Sequence, residues 1–75
     1  DLAGADLKNI DLRYTDLTGA NFIGADLTDA ILTGADLTDA ILTGANITRT
    51  VFGNNPGLTD TDKLSFKERG AIFLD

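Results

Sequence analysis

The chain has no cysteine and no histidine among its 75 residues. Without cysteine there is no disulfide framework, no thiolate metal site and no thiol redox chemistry. Without histidine the commonest general base and the commonest metal ligand are missing together. A zinc site would have to be assembled from carboxylates alone, which zinc sites rarely are. Positive charge is scarce, with six Lys and Arg against twelve Asp and Glu and a net charge of −6. That balance speaks against nucleic-acid binding and against an anionic membrane surface, since both need clustered basic side chains. No apolar run approaches the ~20 residues of a membrane span. Proline occurs once, at Pro56. A chain of this length buries only roughly 60% of its unfolded surface and needs a well-idealised core.

What is present is a repeat of five. From Ala5 the sequence reads ADLKN, IDLRY, TDLTG, ANFIG, ADLTD, AILTG, ADLTD, AILTG, ANITR, TVFGN, and residues 25–34 recur unchanged as residues 35–44. The middle position is always apolar: Leu7, Leu12, Leu17, Phe22, Leu27, Leu32, Leu37, Leu42, Ile47 and Phe52, with Leu2 in the same series. The first position is small in most units, Ala5 and Ala25 for example, with Ile10, Thr15 and Thr50 as departures. The last position favours Gly, Asn and Asp, with Tyr14 and Arg49 as exceptions.

A period of five fits neither a helix at 3.6 nor a simple strand at 2. It fits a short extended segment followed by a corner. The middle side chain then points inward, its neighbours point outward, and the last residue supplies the positive φ of a tight turn. If each corner turns the chain by about a right angle, four units close one coil and successive coils stack ~4.8 Å apart. The inward columns that follow are Leu2–Phe22–Leu42, Leu7–Leu27–Ile47, Leu12–Leu32–Phe52 and Leu17–Leu37. Each buried centre contributes ~1.5–3 kcal/mol, much of it offset by backbone ordering.

The A-(D/N)-(L/F)-x-x pattern over residues 1–54 resembles the pentapeptide-repeat family. The resemblance implies an all-β fold, a right-handed quadrilateral β-helix. Its tail from Asn54 to Phe73 is similar to the ending of cyanobacterial and thylakoid-associated members. That implies the thylakoid lumen, periplasm or cytoplasm of a cyanobacterium or chloroplast.

After Asn54 the pattern stops, and Asn55-Pro56-Gly57 marks a break. Residues 55–75 are expected to form a short C-terminal α-helical cap. Its helix is read over 60–69, with Thr59 as N-cap, Asp60 and Asp62 in the first turn, Lys67 and Arg69 in the last, and Gly70 just beyond. Residues 71–74 restore the repeat spacing as a returning strand that is expected to lay Phe73 near the end of the Leu17–Leu37 column. Solenoid ends expose core and unpaired backbone, so a cap is required. Asp1 begins in mid-repeat and leaves the first coil bare. The expectation there is upstream sequence first, and a homodimer stacked through that coil second.

Asp6 stacks over Asp26 and Asp16 over Asp36, and paired carboxylates can bind metal or share a proton. Here Asp recurs because the repeat recurs, and its side chain suits bonding to turn backbone. The threonines after the core position have no histidine to activate them, and nothing places Lys8, Lys63 or Lys67 in a pocket. The reading is a non-enzyme with no cofactor and no metal. Ile31, Ile41 and Val51 occupy the outward position that elsewhere carries Asp, and Ile23 also points outward. These are the expected contacts of a protein partner, on an interaction module or scaffold. One alternative is a DNA-mimicking binder of an enzyme such as gyrase, since some family members have that role. The other is a passive structural spacer.

Overall fold

In a computed structural model of the chain, residues 1–75 are all described. Parallel pairing joins Asp6 to Asp26, Asp11 to Ile31, Asp16 to Asp36, Asn21 to Ile41, Asp26 to Asn46 and Ile31 to Val51. Every partner lies twenty residues on, so four five-residue units make one turn. The chain is therefore a stack of coils with four faces. We number the faces by their inward columns: first (Leu2, Phe22, Leu42), second (Leu7, Leu27, Ile47), third (Leu12, Leu32, Phe52) and fourth (Leu17, Leu37).

Two bond types build each unit. Along the axis, the central residue donates upward and the second residue donates downward: Leu7 N–H reaches Asp26 O at 2.8 Å and Asp26 N–H reaches Ala5 O at 2.9 Å. Around the coil, each corner closes on itself, as where Ala30 N–H donates to Leu27 O at 2.9 Å. The residue before that donor takes positive φ, +62° at Asp29 and +58° at Tyr14. Asn and Asp tolerate this region and glycine adopts it freely; Tyr14 and Arg49 are held there by the repeat. Corners consume so much of each unit that most faces pair through single residues. Only β1 (Val51–Phe52) and β2 (Ile72–Phe73) form a longer parallel pair.

The outward Asp and Asn brace the corners. Their Oδ1 atoms accept the N–H two residues on, at 3.0 Å from Thr18, Thr28, Thr38 and Ile23. Inside, Phe22, Leu27, Leu32, Leu37, Ile47 and Phe52 are sealed from solvent. Leu17 and Leu42 are nearly so. Leu2, Leu7 and Leu12 belong to the expected core but are only half-buried, because no coil covers the first one.

The tail closes the opposite end one face at a time. On the fourth face, Leu37 N–H donates to Pro56 O at 2.9 Å. Proline has no N–H to return, and Asn55 supplies the missing donors. Its buried Nδ2 donates to Leu32 O at 2.7 Å and Ala35 O at 2.9 Å, and its Oδ1 accepts Gly53 N–H at 2.8 Å. Gly57 then passes over the Thr38 backbone so closely that a Cβ would collide with it, at φ +92°. Only glycine fits there.

Helix α1 (Asp60–Glu68) follows, opened by a capping box. Thr59 Oγ1 accepts Asp62 N–H, and Asp62 Oδ2 accepts Thr59 N–H, both at 3.0 Å. This arrangement satisfies two N-terminal donors at once. Phe66 is the one buried residue of the helix and packs on Phe52, ring centroids 5.4 Å apart. Arg69 ends the helix with Nη2 donating to Leu42 O at 2.8 Å and Ala45 O at 2.7 Å. Gly70 O then receives Arg49 N–H on the second face.

Phe73 corrects the sequence expectation. It sits opposite Phe52, rings stacked 5.2 Å apart, on the third face and not on the Leu17–Leu37 column. The fourth face is already closed by Pro56 and Gly57. The helix carries the chain past the first face, and Gly70 occupies the second, so the third is where β2 arrives.

Candidate interaction surfaces

Six of the eleven inward centres are sealed from solvent, so the surface available to another molecule is outward. On the third face the outward column runs Asp11, Ile31, Val51, Ile72, each paired with the next. Ile31 and Val51 are half-buried, and Ile72 is 44% exposed. Leu74, 69% exposed, extends the column past its end, with its Cβ beside the bare Cα of Gly53. Tyr14 adds a further apolar surface at the neighbouring corner. Its ring lies across Gly34, where any Cβ would strike it. The third face is thus an apolar strip on an otherwise acidic molecule.

Ile23 and Ile41 lie on the first face, apart from that strip, 46% and 43% exposed. Ile41 stands over Asn21. The four outward residues singled out in the sequence therefore divide into two pairs. Ile72, Leu74 and Tyr14 were not among them. Ile72 continues the Asp11–Ile31–Val51 column only because of where β2 re-enters. Tyr14 showed in the sequence only as an odd corner residue.

The acidic residues are engaged locally. Hydrogen bonds from the Thr18, Thr28 and Thr38 hydroxyls, and then from their backbone N–H groups, hold the carboxyls of Asp16, Asp26 and Asp36 below the usual carboxylate range. A proton-sharing pair needs one carboxyl raised, so Asp16–Asp36 has the wrong sign for that chemistry. Asp29 is held low by Arg49, whose Nε reaches it at 2.7 Å, and Asp11 by Arg13 at 2.9 Å. No three acidic side chains converge on a metal-sized point. Lys63 pairs with Asp75 at 3.2 Å, and Lys67 lies over the Phe73 ring.

One cleft exists, outside the core. It measures about 420 Å³ and lies between α1 and the first face. Leu37, Ala40, Ile41, Leu42, Leu58 and Phe66 give it an apolar lining, and Asp39, Asp62 and Arg69 stand around it. The cleft arises because the helix is thicker than the strand it replaces and cannot lie flush on the face.

The repeat is what decides the family. The model for pentapeptide repeats matches residues 1–39 and 15–54, in eight copies. This chain belongs to the pentapeptide-repeat family. A pentapeptide repeat protein of solved structure, alr5209 from Nostoc Pcc 7120, is 26% identical. The match covers 96% of this chain and 78% of that one, with a TM-score of 0.47. Among curated proteins nothing matches. Membership accounts for the repeat β-helix, for the Asp-braced corners and for the apolar columns. The family pattern does not account for the third-face strip, where the usual Asp or Asn is replaced.

Proposed function

We propose that this pentapeptide-repeat protein is a non-catalytic interaction module that binds a protein partner. The observation that carries the reading is the apolar strip of Ile31, Val51, Ile72, Leu74 and Tyr14 on one face of a chain with net charge −6. Contiguous exposed apolar surface is what an interface requires, and isolated surface apolars are ordinary. The strip is flat and rigid, so binding there costs little ordering. The tail resemblance supports a cyanobacterial or chloroplast setting.

Affinity capture from such an extract tests the reading, comparing the native chain with an Ile72→Asp/Leu74→Asp variant. Both side chains are exposed, so the variant is expected to fold. Loss of one retained protein by the variant, with retention by Ile23→Asp, supports the module and assigns the strip as its contact. Identical capture by all three, or none, returns the protein to the spacer reading.

DNA mimicry has the acidic charge in its favour. Size weighs against it: the longest dimension is 26 Å, short of the ~34 Å of one DNA turn. Inhibition of gyrase supercoiling by the isolated chain would restore it.

A further inference from the structure

We infer that the cleft beside α1 binds an extended peptide segment, taken up as the strand that the first face lacks above its third coil. The segment carries an apolar residue over Leu42, preceded by a lysine or arginine near Asp39.

The backbone bonds of the first face carry the argument. In the first coil Leu2 N–H donates to Asn21 O at 2.8 Å and Gly4 N–H to Ile23 O at 2.9 Å. In the second, Phe22 N–H donates to Ile41 O at 2.8 Å and Gly24 N–H to Thr43 O at 3.3 Å. In the third, the equivalent N–H groups of Leu42 and Gly44 donate to nothing in the protein. The N–H between them is also free. Ile23 N–H is taken by the Asn21 side chain and Ala3 N–H by Asp1, but Thr43 follows Ile41, which has no acceptor to offer. Three successive donors are thus left without a protein partner at one place. On the third face the tail continues the ladder through β2. On the fourth and second it does so by one bond each, to Pro56 O and Gly70 O, leaving single donors at Asp39 and Ile47. Only the first face has no ladder bond to the tail at all.

Unpaired donors along a sheet edge beside apolar surface are a template for an added strand, which is a recurrent mode of peptide recognition. Leu42 and Gly44, two apart, have the spacing of donors on a strand edge. The cleft above them has about 420 Å³, within the ~300–1,000 Å³ that holds a ligand of a few residues. The alternation of the face fixes the order of the guest. Its inward residue meets Leu42 and Phe66, and its outward neighbour lies beside Ile41.

Charge sets direction. Asp39 and Asp62 border the cleft, and Asp39 stands at the corner where the chain enters the first face. Arg69 stands at the other end, bound to the carbonyls of Leu42 and Ala45. A guest running parallel to the coils, as every other pair in the molecule does, brings its N-terminal side to the acidic end. A basic side chain there is complementary, and the net charge of −6 adds long-range attraction. This site is separate from the third-face strip and stands or falls independently of it.

The probe is a fluorescent, end-blocked peptide containing Lys-Ala-Val-Leu-Thr-Gly, titrated at low salt into the whole chain and followed by anisotropy and by amide NMR. Saturable binding is expected, with the Leu42, Thr43 and Gly44 amides shifting and the Leu42 and Gly44 amides exchanging at least tenfold more slowly. Changing the peptide leucine to serine should weaken binding at least tenfold, and changing its lysine to glutamate about as much. Asp39→Asn keeps a residue that tolerates positive φ and should weaken the lysine peptide severalfold; Ile72→Asp/Leu74→Asp should leave binding unchanged. No saturation at millimolar peptide overturns the proposal. So do shifts centred on the third face, or self-association of the chain that the peptide abolishes, which would make a second copy the occupant.

Discussion

Residues 25–34 and 35–44 have the same sequence and lie on opposite sides of the molecule, the first on the second and third faces, the second on the fourth and first. What is local is the same in both. The corners have φ +62° at Asp29 and +60° at Asp39, and +74° at Gly34 against +69° at Gly44. The Thr28 and Thr38 hydroxyls donate to their Asp partners at 2.6 and 2.7 Å. What depends on the next coil differs. Asp29 pairs with Arg49, whereas Asp39 borders the cleft. Ile31 is half-buried between Asp11 and Val51, whereas Ile41 has Asn21 below it and open space above. Gly34 is overlain by Tyr14, and Gly44 has only the Gly24 backbone nearby. The pentapeptide sets the bend; the residue twenty positions away sets the environment.

Identical blocks allow the same substitution to be made twice. Leu32 is sealed between Leu12 and Phe52, and Leu42 is 6% exposed at the cleft. Leu32→Ala should cost about 4 kcal/mol and Leu42→Ala about 2.5 kcal/mol, as the cleft lets the site relax. Urea unfolding checks the pair, and equal losses would show the cleft to be closed in solution.

Asn55→Ala breaks the device by which the second block is roofed. Ala35 O and Gly53 N–H both lose their Asn55 partner, with an expected loss of about 2 kcal/mol and faster exchange of the Gly53 amide. Asn55→Gln, with the same groups one methylene further out, should not rescue it.

Gly34→Ala and Gly44→Ala both place a side chain at positive φ, a cost of about 1 kcal/mol each. Gly34→Ala must also displace the Tyr14 ring, so it should be the worse of the two. Adding Tyr14→Ala should bring the two thermal midpoints together.

Acid gives the smallest difference. The carboxyls of Asp16, Asp26 and Asp36 are held low in the folded chain by their threonine bonds. Their contribution is present above the ordinary carboxylate range near ~3.9 and is lost as the pH falls through the folded value. Asn46 already makes the same two bonds without a charge. A chain carrying Asp16→Asn, Asp26→Asn and Asp36→Asn should therefore fold normally at neutral pH. It should lose less stability than the native chain on acidification, as read from urea midpoints at each pH.

The legible part of this protein was the part written in nearest neighbours. The twenty-residue register follows from the inward leucines, and Thr59 and Asp62 announce a helix start because capping is local. Phe73 was not legible in the same way. Its column depends on how far α1 carries the chain across the top, and eleven residues of cap and helix do not state that distance. The cleft and the free N–H groups of Leu42 and Gly44 follow from helix thickness, which no pentapeptide encodes. The Tyr14–Gly34 contact spans one coil and could be found by aligning positions twenty apart.

The ladder bonds all run along the stacking axis, and this makes the molecule mechanically anisotropic. A load drawn from Asp1 to Asp75 meets those bonds in series and peels one coil at a time, each step resisted by a few bonds only. A load applied across a face would have to shear a whole column together. Tethered by its ends, the chain should lengthen in small, even steps; gripped by its sides, it should hold and then fail at once.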